Sequence, residues 1–236
     1  MPTKSALGIF FRFPALGKVK KRLADEIGEN AALTAYESML EATIRNVSRL
    51  RGIELYGFYE GKNIYHPPLY PLPSREGKVE GYSINGGEFP LPLRERVRVR
   101  GMKFPCMPQK GFNLGERMYK AIQWLFDNGY QKVSLIGTDS PDLPLAFIKD
   151  AFQKLDSYKL VIGPSEDGGY YLIGMKNPFD MLFKNIEWGS DKVLKYTVSK
   201  AHSAGISYFL LPEWYDIDDL RSLSRWKLEI KESAHL

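Results

Sequence analysis

The stretch "LIGTDSPDLP", Leu135 to Pro144, starts as an apolar run suited to a buried strand and turns abruptly into Thr138-Asp139-Ser140-Pro141-Asp142. Two carboxylates and a proline where a core strand stops admit two readings. In one, Thr138 and Asp139 are turn formers and Pro141 fixes the bend. In the other, the strand delivers Asp139, its first carboxylate, to a divalent cation. Asp142 suits a cap or brace for a helix that begins after Pro144.

Working outward, the strand-then-turn pattern recurs. "SALGIFFRF" (5–13), "GIELYGFYE" (52–60), "KVSLIG" (132–137), "KLVIGP" (159–164), "GGYYLIGM" (168–175) and "ISYFLLP" (206–212) read as strands. Helical spacing links Leu33, Tyr36, Leu40, Thr43, Val47 and Leu50 across residues 31–50. Further helices are expected from about Leu114 to Asn128, over "LAFIKDAFQKL" (145–155), from Ser190 to Ser203, and in the C-terminal portion. Residues 14–30 read as a loop. Strands alternating with helices predict a three-layer α/β/α sandwich with a mainly parallel, mixed sheet. Such sheets bind ligands at the C-terminal strand ends.

The chain has 236 residues, 44% of them hydrophobic and 26% charged, which suits one soluble globular domain spanning 1–236. No apolar run approaches the ~18 residues of a membrane span. The N-terminal apolar run is short and interrupted by Arg12, which argues against a signal peptide. One cysteine, Cys106, excludes an intramolecular disulfide, and the three histidines, His66, His202 and His235, have no ligand spacing. Any metal is therefore expected to be hard and carboxylate-bound, and a cytoplasmic location fits.

The net charge of +5 is concentrated. Residues 61–103 hold eight Lys/Arg against four Glu, a net of +4. Residues 61–105 also hold seven of the fifteen prolines and an imperfect repeat, "PLPSREG" (71–77) and "PLPLRER" (90–96). This segment reads as a Pro/Arg-rich insertion looping from the surface; a substrate flap or oligomer arm is the alternative, with "RERVRVR" pairing as an edge strand.

Three more stretches carry candidate chemistry. In "FPALGKVKKRL" (13–23), Gly17 permits close backbone approach, and Lys18, Lys20, Lys21 and Arg22 offer donors to phosphate. It is not a Walker A loop, and a solvated basic loop is the plainer reading. In "GPSEDGGYYLIGM" (163–175), Gly168-Gly169 either make a hairpin turn or let backbone amides approach a ligand that Asp167 faces. In "WYDIDDL" (214–220), Asp216 and Asp218 share a side if extended, leaving Asp219 as a helix N-cap. One acidic cluster is weak evidence. Three of them at strand ends, beside a Lys/Arg loop, point to a common site for chemistry on phosphates, with carboxylates holding Mg²⁺ or Mn²⁺.

On "FFRFPALGKVKKRL", "GFNLGERM" (111–118), "LIGTDSPDLP", "GPSEDGGYYLIGM", "IEWGSDKVL" (186–194) and "YDIDDL", the chain resembles the GT-A-fold nucleotide-diphospho-sugar transferase superfamily. The resemblance is to its radical-SAM/selenodomain-associated, arsenosugar-pathway-type members and, more distantly, to the cofactor guanylyltransferases. It covers nearly the whole chain except 61–105. It implies a nucleotide over the first half of the sheet, with Gly17, Lys20 and Arg22 at its phosphates. It further implies a divalent cation at Asp139, with Asp216 or Asp218 as second ligand. Asp167, Gly168, Gly169 and Trp188 would line the acceptor side, Asp139 and Asp167 acting in catalysis. Lys21, Asn113 and Asp219 depart from the pattern, which has Thr, an acidic residue and Thr there.

The expected activity is thus that of a metal-dependent transferase acting on a small-molecule acceptor, with a nucleotide sugar as donor. The alternative is nucleotidyl transfer from an NTP with release of pyrophosphate. A non-catalytic nucleic-acid binder working through 94–103 ranks last, because that segment lacks interleaved aromatics and a recognised binding fold.

Overall fold

The computed structural model describes residues 3–60 and 102–233. The repeat at 71–77 and 90–96, the flap alternative and most of the basic stretch at 94–103 lie outside the described residues. Among the described residues, seven strands form one sheet: β1 (Ser5–Arg12), β2 (Glu54–Glu60), β3 (Cys106–Pro108), β4 (Lys132–Ile136), β5 (Leu160–Pro164), β6 (Tyr170–Met175) and β7 (Tyr208–Leu210). Their order is β3-β2-β1-β4-β6-β5-β7, and all the pairings are parallel except the two made by β6. β6 runs back from β5 as a hairpin whose turn holds Gly168 and Gly169. Six strands therefore end at one edge of the sheet, and β6 begins there.

Alternation along β1 builds the layers. Leu7, Ile9 and Phe11 point to a core roofed by Leu40, Ile44 and Val47 of α2 (Glu29–Val47) and by Ile148, Ala151 and Phe152 of α4 (Leu145–Lys154). Ala6 points to the opposite core, under Met118, Ala121, Ile122 and Leu125 of α3 (Leu114–Asp127) and Ala201 of α5 (Val193–Ser203). The expected three layers are present. Phe104, next to the expected insertion's end, is buried in the first core.

The sequence reading missed α1 (Lys21–Ile27), which it took as loop, and the short β3. Leu23 and Ile27, one turn apart, pack with Ala32, Ala35 and Met39 of α2 and with Leu223 and Trp226 of α6 (Leu220–Ser233). This third cluster explains why α2 is buried on two faces. Asp219 caps α6 as expected: its carboxylate accepts the Ser222 N–H at 2.7 Å and its own N–H donates to Ser222 Oγ at 3.2 Å. Asn113, one of the departures from the family pattern, caps α3 by accepting the Glu116 N–H at 2.9 Å.

Ile9 is fully buried in the central strand. Ile9→Ala should lower unfolding free energy by roughly 2–5 kcal/mol. Leu16→Ala, at a side chain 51% exposed, should change it by less than about 0.5 kcal/mol. Urea denaturation midpoints compare the two, and equal losses would contradict this placement of the core.

Candidate active site

The strand ends converge because their loops are stitched to one another. Asp139, just past β4, accepts the Ile217 N–H through its backbone carbonyl at 2.8 Å, tying the loop after β4 to the loop after β7. Ser140 Oγ donates to Asp216 at 2.6 Å. Asp142 accepts from the Tyr215 hydroxyl and from Trp214 Nε1, so it braces the two loops together. It does not cap α4, whose first turn follows Pro144 without a side-chain cap.

The third loop brings in Lys20. This residue adopts the left-handed conformation, φ 46° and ψ 54°, which a residue with a side chain seldom takes. Its carbonyl accepts the Ala24 N–H and opens α1. Its side chain is 5% exposed, and its ammonium lies 2.6 Å from Asp139 Oδ1 and 2.8 Å from Asp218 Oδ1. Burial pulls the lysine's pKa down, but Asp139 and Asp218 together outweigh it and hold the ammonium charged well above its ordinary range. Arg22, largely exposed, reaches Asp218 at 3.6 Å. The two cations expected at phosphates therefore face carboxylates here.

Asp216 is the group most affected by this crowding. Burial pushes its carboxyl up to about 7, and the charges of Asp139 and Asp167 push the same way. The Ser140 hydrogen bond and Lys20 oppose the rise without cancelling it. Asp167 sits in the β5–β6 turn, its Oδ1 accepting the Gly169 N–H at 2.9 Å and the Ser165 hydroxyl.

A cleft of about 670 Å³ opens over this edge, and its walls include Lys20, Arg22, Asp139, Asp167, Gly169, Trp188, Asp216 and Asp218. Eight of the ten residues singled out from sequence are thus brought together. Gly17 and Gly168 are not wall residues. Gly17, at φ 67°, shapes the turn beside Glu29, where an added Cβ would lie 3.0 Å from the Glu29 carboxylate. Gly168, at φ 84°, abuts the segment that leads into α5: a Cβ there would lie 2.1 Å from the Asp191 carbonyl oxygen. Trp188 meets Tyr170 edge to face with centroids 6.4 Å apart.

The cleft also holds residues that sequence reasoning missed. Glu60, at the end of β2, pairs with Arg117 of α3 and with Arg12 at 2.9 Å. Gln109 donates its side-chain amide to the Phe11 and Phe58 carbonyls at 3.3 and 3.0 Å. Tyr36 of α2 clamps the end of β1: its hydroxyl donates to the Arg12 carbonyl and accepts the Arg12 N–H, both at 2.9 Å. Burial raises this phenol to about 12, with Asp139 adding to the rise. Tyr36 was legible only as a core position, since helical spacing says nothing of what a hydroxyl meets.

The carboxylates gathered here, Asp139, Asp167, Asp216 and Asp218, offer only oxygen donors, which suits Mg²⁺ or Mn²⁺. Among the described residues, no three of His, Cys, Asp and Glu stand together as a ready-made cation site. That still fits Mg²⁺, which is commonly held by one or two carboxylates and completed by substrate phosphates and water. Among the described residues, no helix is long and apolar enough to cross a membrane.

Residues 90–190 match the family model described as "Uncharacterized protein conserved in bacteria (DUF2064)", a match that begins inside the 61–105 segment. No curated protein matches the sequence. Among solved structures, a Desulfovibrio desulfuricans G20 protein, provisionally assigned as a nucleotide-diphospho-sugar transferase, is 31% identical; the match covers 92% of this chain and 84% of that one with a TM-score of 0.72. Two more share the fold at far lower identity. CMP:2-keto-3-deoxy-manno-octonic acid synthetase, solved with CTP, is 9% identical over 98% of this chain and 100% of its own, TM-score 0.56. The 4-diphosphocytidyl-2C-methyl-D-erythritol synthase of Anaerococcus prevotii DSM 20548 is 10% identical over 97% and 99%, TM-score 0.54. With the expected sheet, its stitched strand ends and a 31%-identical relative across most of its length, the chain belongs with the Desulfovibrio protein in the nucleotide-diphospho-sugar transferase superfamily.

Proposed function

We propose that this protein is a divalent-metal-dependent transferase that takes a nucleotide-activated donor, specifically a glycosyltransferase using a nucleotide sugar. The observation that carries the reading is the meeting of Asp139, Asp216, Asp218 and Lys20 in one cleft at the sheet's C-terminal edge. The identity to the Desulfovibrio protein supports sugar transfer over other uses of that edge. The motifs quoted above support placement with the radical-SAM/selenodomain-associated, arsenosugar-pathway-type members.

Asp139, with Asp216 or Asp218, would hold Mg²⁺ or Mn²⁺. The ion supplies charge neutralisation for the departing diphosphate. Arg22 and Lys20 steady the remaining phosphate charge, and Gly17 shapes the loop that presents them. Asp167, with Oδ1 fixed by its own turn, keeps Oδ2 as an acceptor for a hydroxyl of the acceptor substrate. Gly168 sets that turn against the segment leading into α5, and Gly169 and Trp188 form the adjoining wall.

Nucleotidyl transfer is the second reading, favoured by the concentration of Lys18, Lys20, Lys21 and Arg22 in one short loop. The leaving group separates the two. Incubated with Mn²⁺, a panel of nucleotide sugars and NTPs, and candidate acceptors, the protein should release a nucleoside diphosphate from one nucleotide sugar. Pyrophosphate as the sole product would replace sugar transfer by nucleotidyl transfer. Asp139→Ala should abolish the Mn²⁺-dependent rise in melting temperature given by the preferred nucleotide; an unchanged rise would remove Asp139 from the metal site.

The raised carboxyl of Asp216 adds a pH dependence. Below about pH 7 the folded protein keeps a proton there that an entering cation must displace. Mn²⁺ affinity should therefore rise with pH up to about 7 and level off above it. Calorimetry at pH 6 in buffers of different ionisation enthalpy should show proton release on Mn²⁺ binding, and Asp216→Asn should lose it. Equal release by the variant would place the titrating group elsewhere.

A further inference from the structure

The position between Asp139 and Asp218 already holds a cation. Lys20 Nζ touches both carboxylates, at 2.6 and 2.8 Å, and is screened from solvent. These are two of the three groups that the proposed function assigns to the metal. A lysine ammonium and a divalent ion cannot both fill one gap between two carboxylate oxygens. We propose that Lys20 is a tethered cation that stands in for the metal and makes metal binding conditional on nucleotide phosphates. This inference rests on the metal-dependent reading of the same cleft.

The backbone and the side chain of Lys20 have separate parts in this. The left-handed backbone and the Ala24 N–H bond to its carbonyl fix its Cα at the start of α1. The four-carbon stem beyond Cα can turn about several bonds once the carboxylates release the ammonium, a compact charge that serves a phosphate as well as a carboxylate. In the free protein the ammonium keeps Asp139 and Asp218 together against their mutual repulsion. A metal ion alone would have to displace the ammonium from both carboxylates at once. A ion arriving with a diphosphate brings the oxygens that receive it. Lys20 then moves from carboxylate to phosphate, and the ion takes the place it leaves. Metal and nucleotide thus bind better together than either does alone, by the same factor in each direction.

Arg22 provides the control, because it also carries positive charge toward Asp218 but from 3.6 Å and from a largely exposed position. If net charge alone governed metal affinity, losing either cation would act alike. If occupancy of the gap governs it, only the loss of Lys20 matters.

The test is Mn²⁺ binding by the full chain, read from the free-ion electron paramagnetic resonance signal, with and without UDP, GDP or CDP. The wild type should bind Mn²⁺ at least about tenfold more tightly with one of these nucleotides present, a difference of about 1.4 kcal/mol. Lys20→Met should bind Mn²⁺ alone at least about tenfold more tightly than the wild type, and its gain from the nucleotide should shrink toward one. Arg22→Met should gain much less than Lys20→Met. An unchanged Mn²⁺ affinity in Lys20→Met, or equal gains in the Lys20 and Arg22 variants, would overturn the proposal. Equal wild-type affinity with and without every nucleotide would also overturn it, whatever the variants' stability. Failure of the wild type to bind Mn²⁺ under any of these conditions would instead overturn the metal-dependent reading itself.

Discussion

The Lys20 ammonium shared by Asp139 and Asp218 is the interaction on which the arrangement of the cleft depends. It joins the loops after β1, β4 and β7, and Asp218 lies 198 positions away from Lys20 in the chain. Without a cation at this point, Asp139, Asp216 and Asp218 would face one another across a partly desolvated edge, and the crowding that already raises Asp216 would worsen. The backbone accepts an uncommon conformation at Lys20 to place the charge there. Two further hydrogen bonds, Ile217 to Asp139 and Ser140 to Asp216, then hold two of the loops in register.

This arrangement explains why a sheet with this topology concentrates its polar groups at one edge. Six strands end there and β6 starts there, so each loop contributes one or two groups to a common cleft. The three apolar clusters leave that edge uncovered while sealing both faces and the α1–α2–α6 corner. A second charged group in the cleft wall, Arg12–Glu60–Arg117, uses the ends of β1 and β2 and the first turn of α3 in the same way.

Much of the fold was legible because apolar alternation and helical spacing are local. β1, α2, α3, β4, β5 and β6 fall within a few residues of their expected limits. α1 was passed over because a dense run of cations masks its short Leu23–Ile27 stripe, and that stripe pairs with α2 and α6 rather than with the sheet. Of the site, the aspartates could be found because each follows a strand, and strand ends share an edge. What sequence could not give was pairing. Nothing in "GKVKKRL" says that Lys20, rather than Lys18 or Lys21, turns inward to the carboxylates. Asp142 looked like a helix cap, and its partners, Trp214 and Tyr215, lie some seventy residues on. The site roles of Tyr36, Gln109 and Arg117 were not legible because they depend on backbone groups and side chains from distant strands.

The central claim is that the carboxylate edge is the metal and phosphate site of a nucleotide-dependent transferase. Its most direct measurement is an anomalous-scattering map of crystals grown with Mn²⁺ and the nucleoside diphosphate that best stabilises the protein. The account predicts one manganese peak about 2.1 Å from an oxygen of Asp139 and from one of Asp216 or Asp218, as hard-cation coordination requires, with Lys20 Nζ moved to a phosphate oxygen. A peak remote from Asp139, or a nucleotide bound with Lys20 still bridging Asp139 and Asp218, would contradict it.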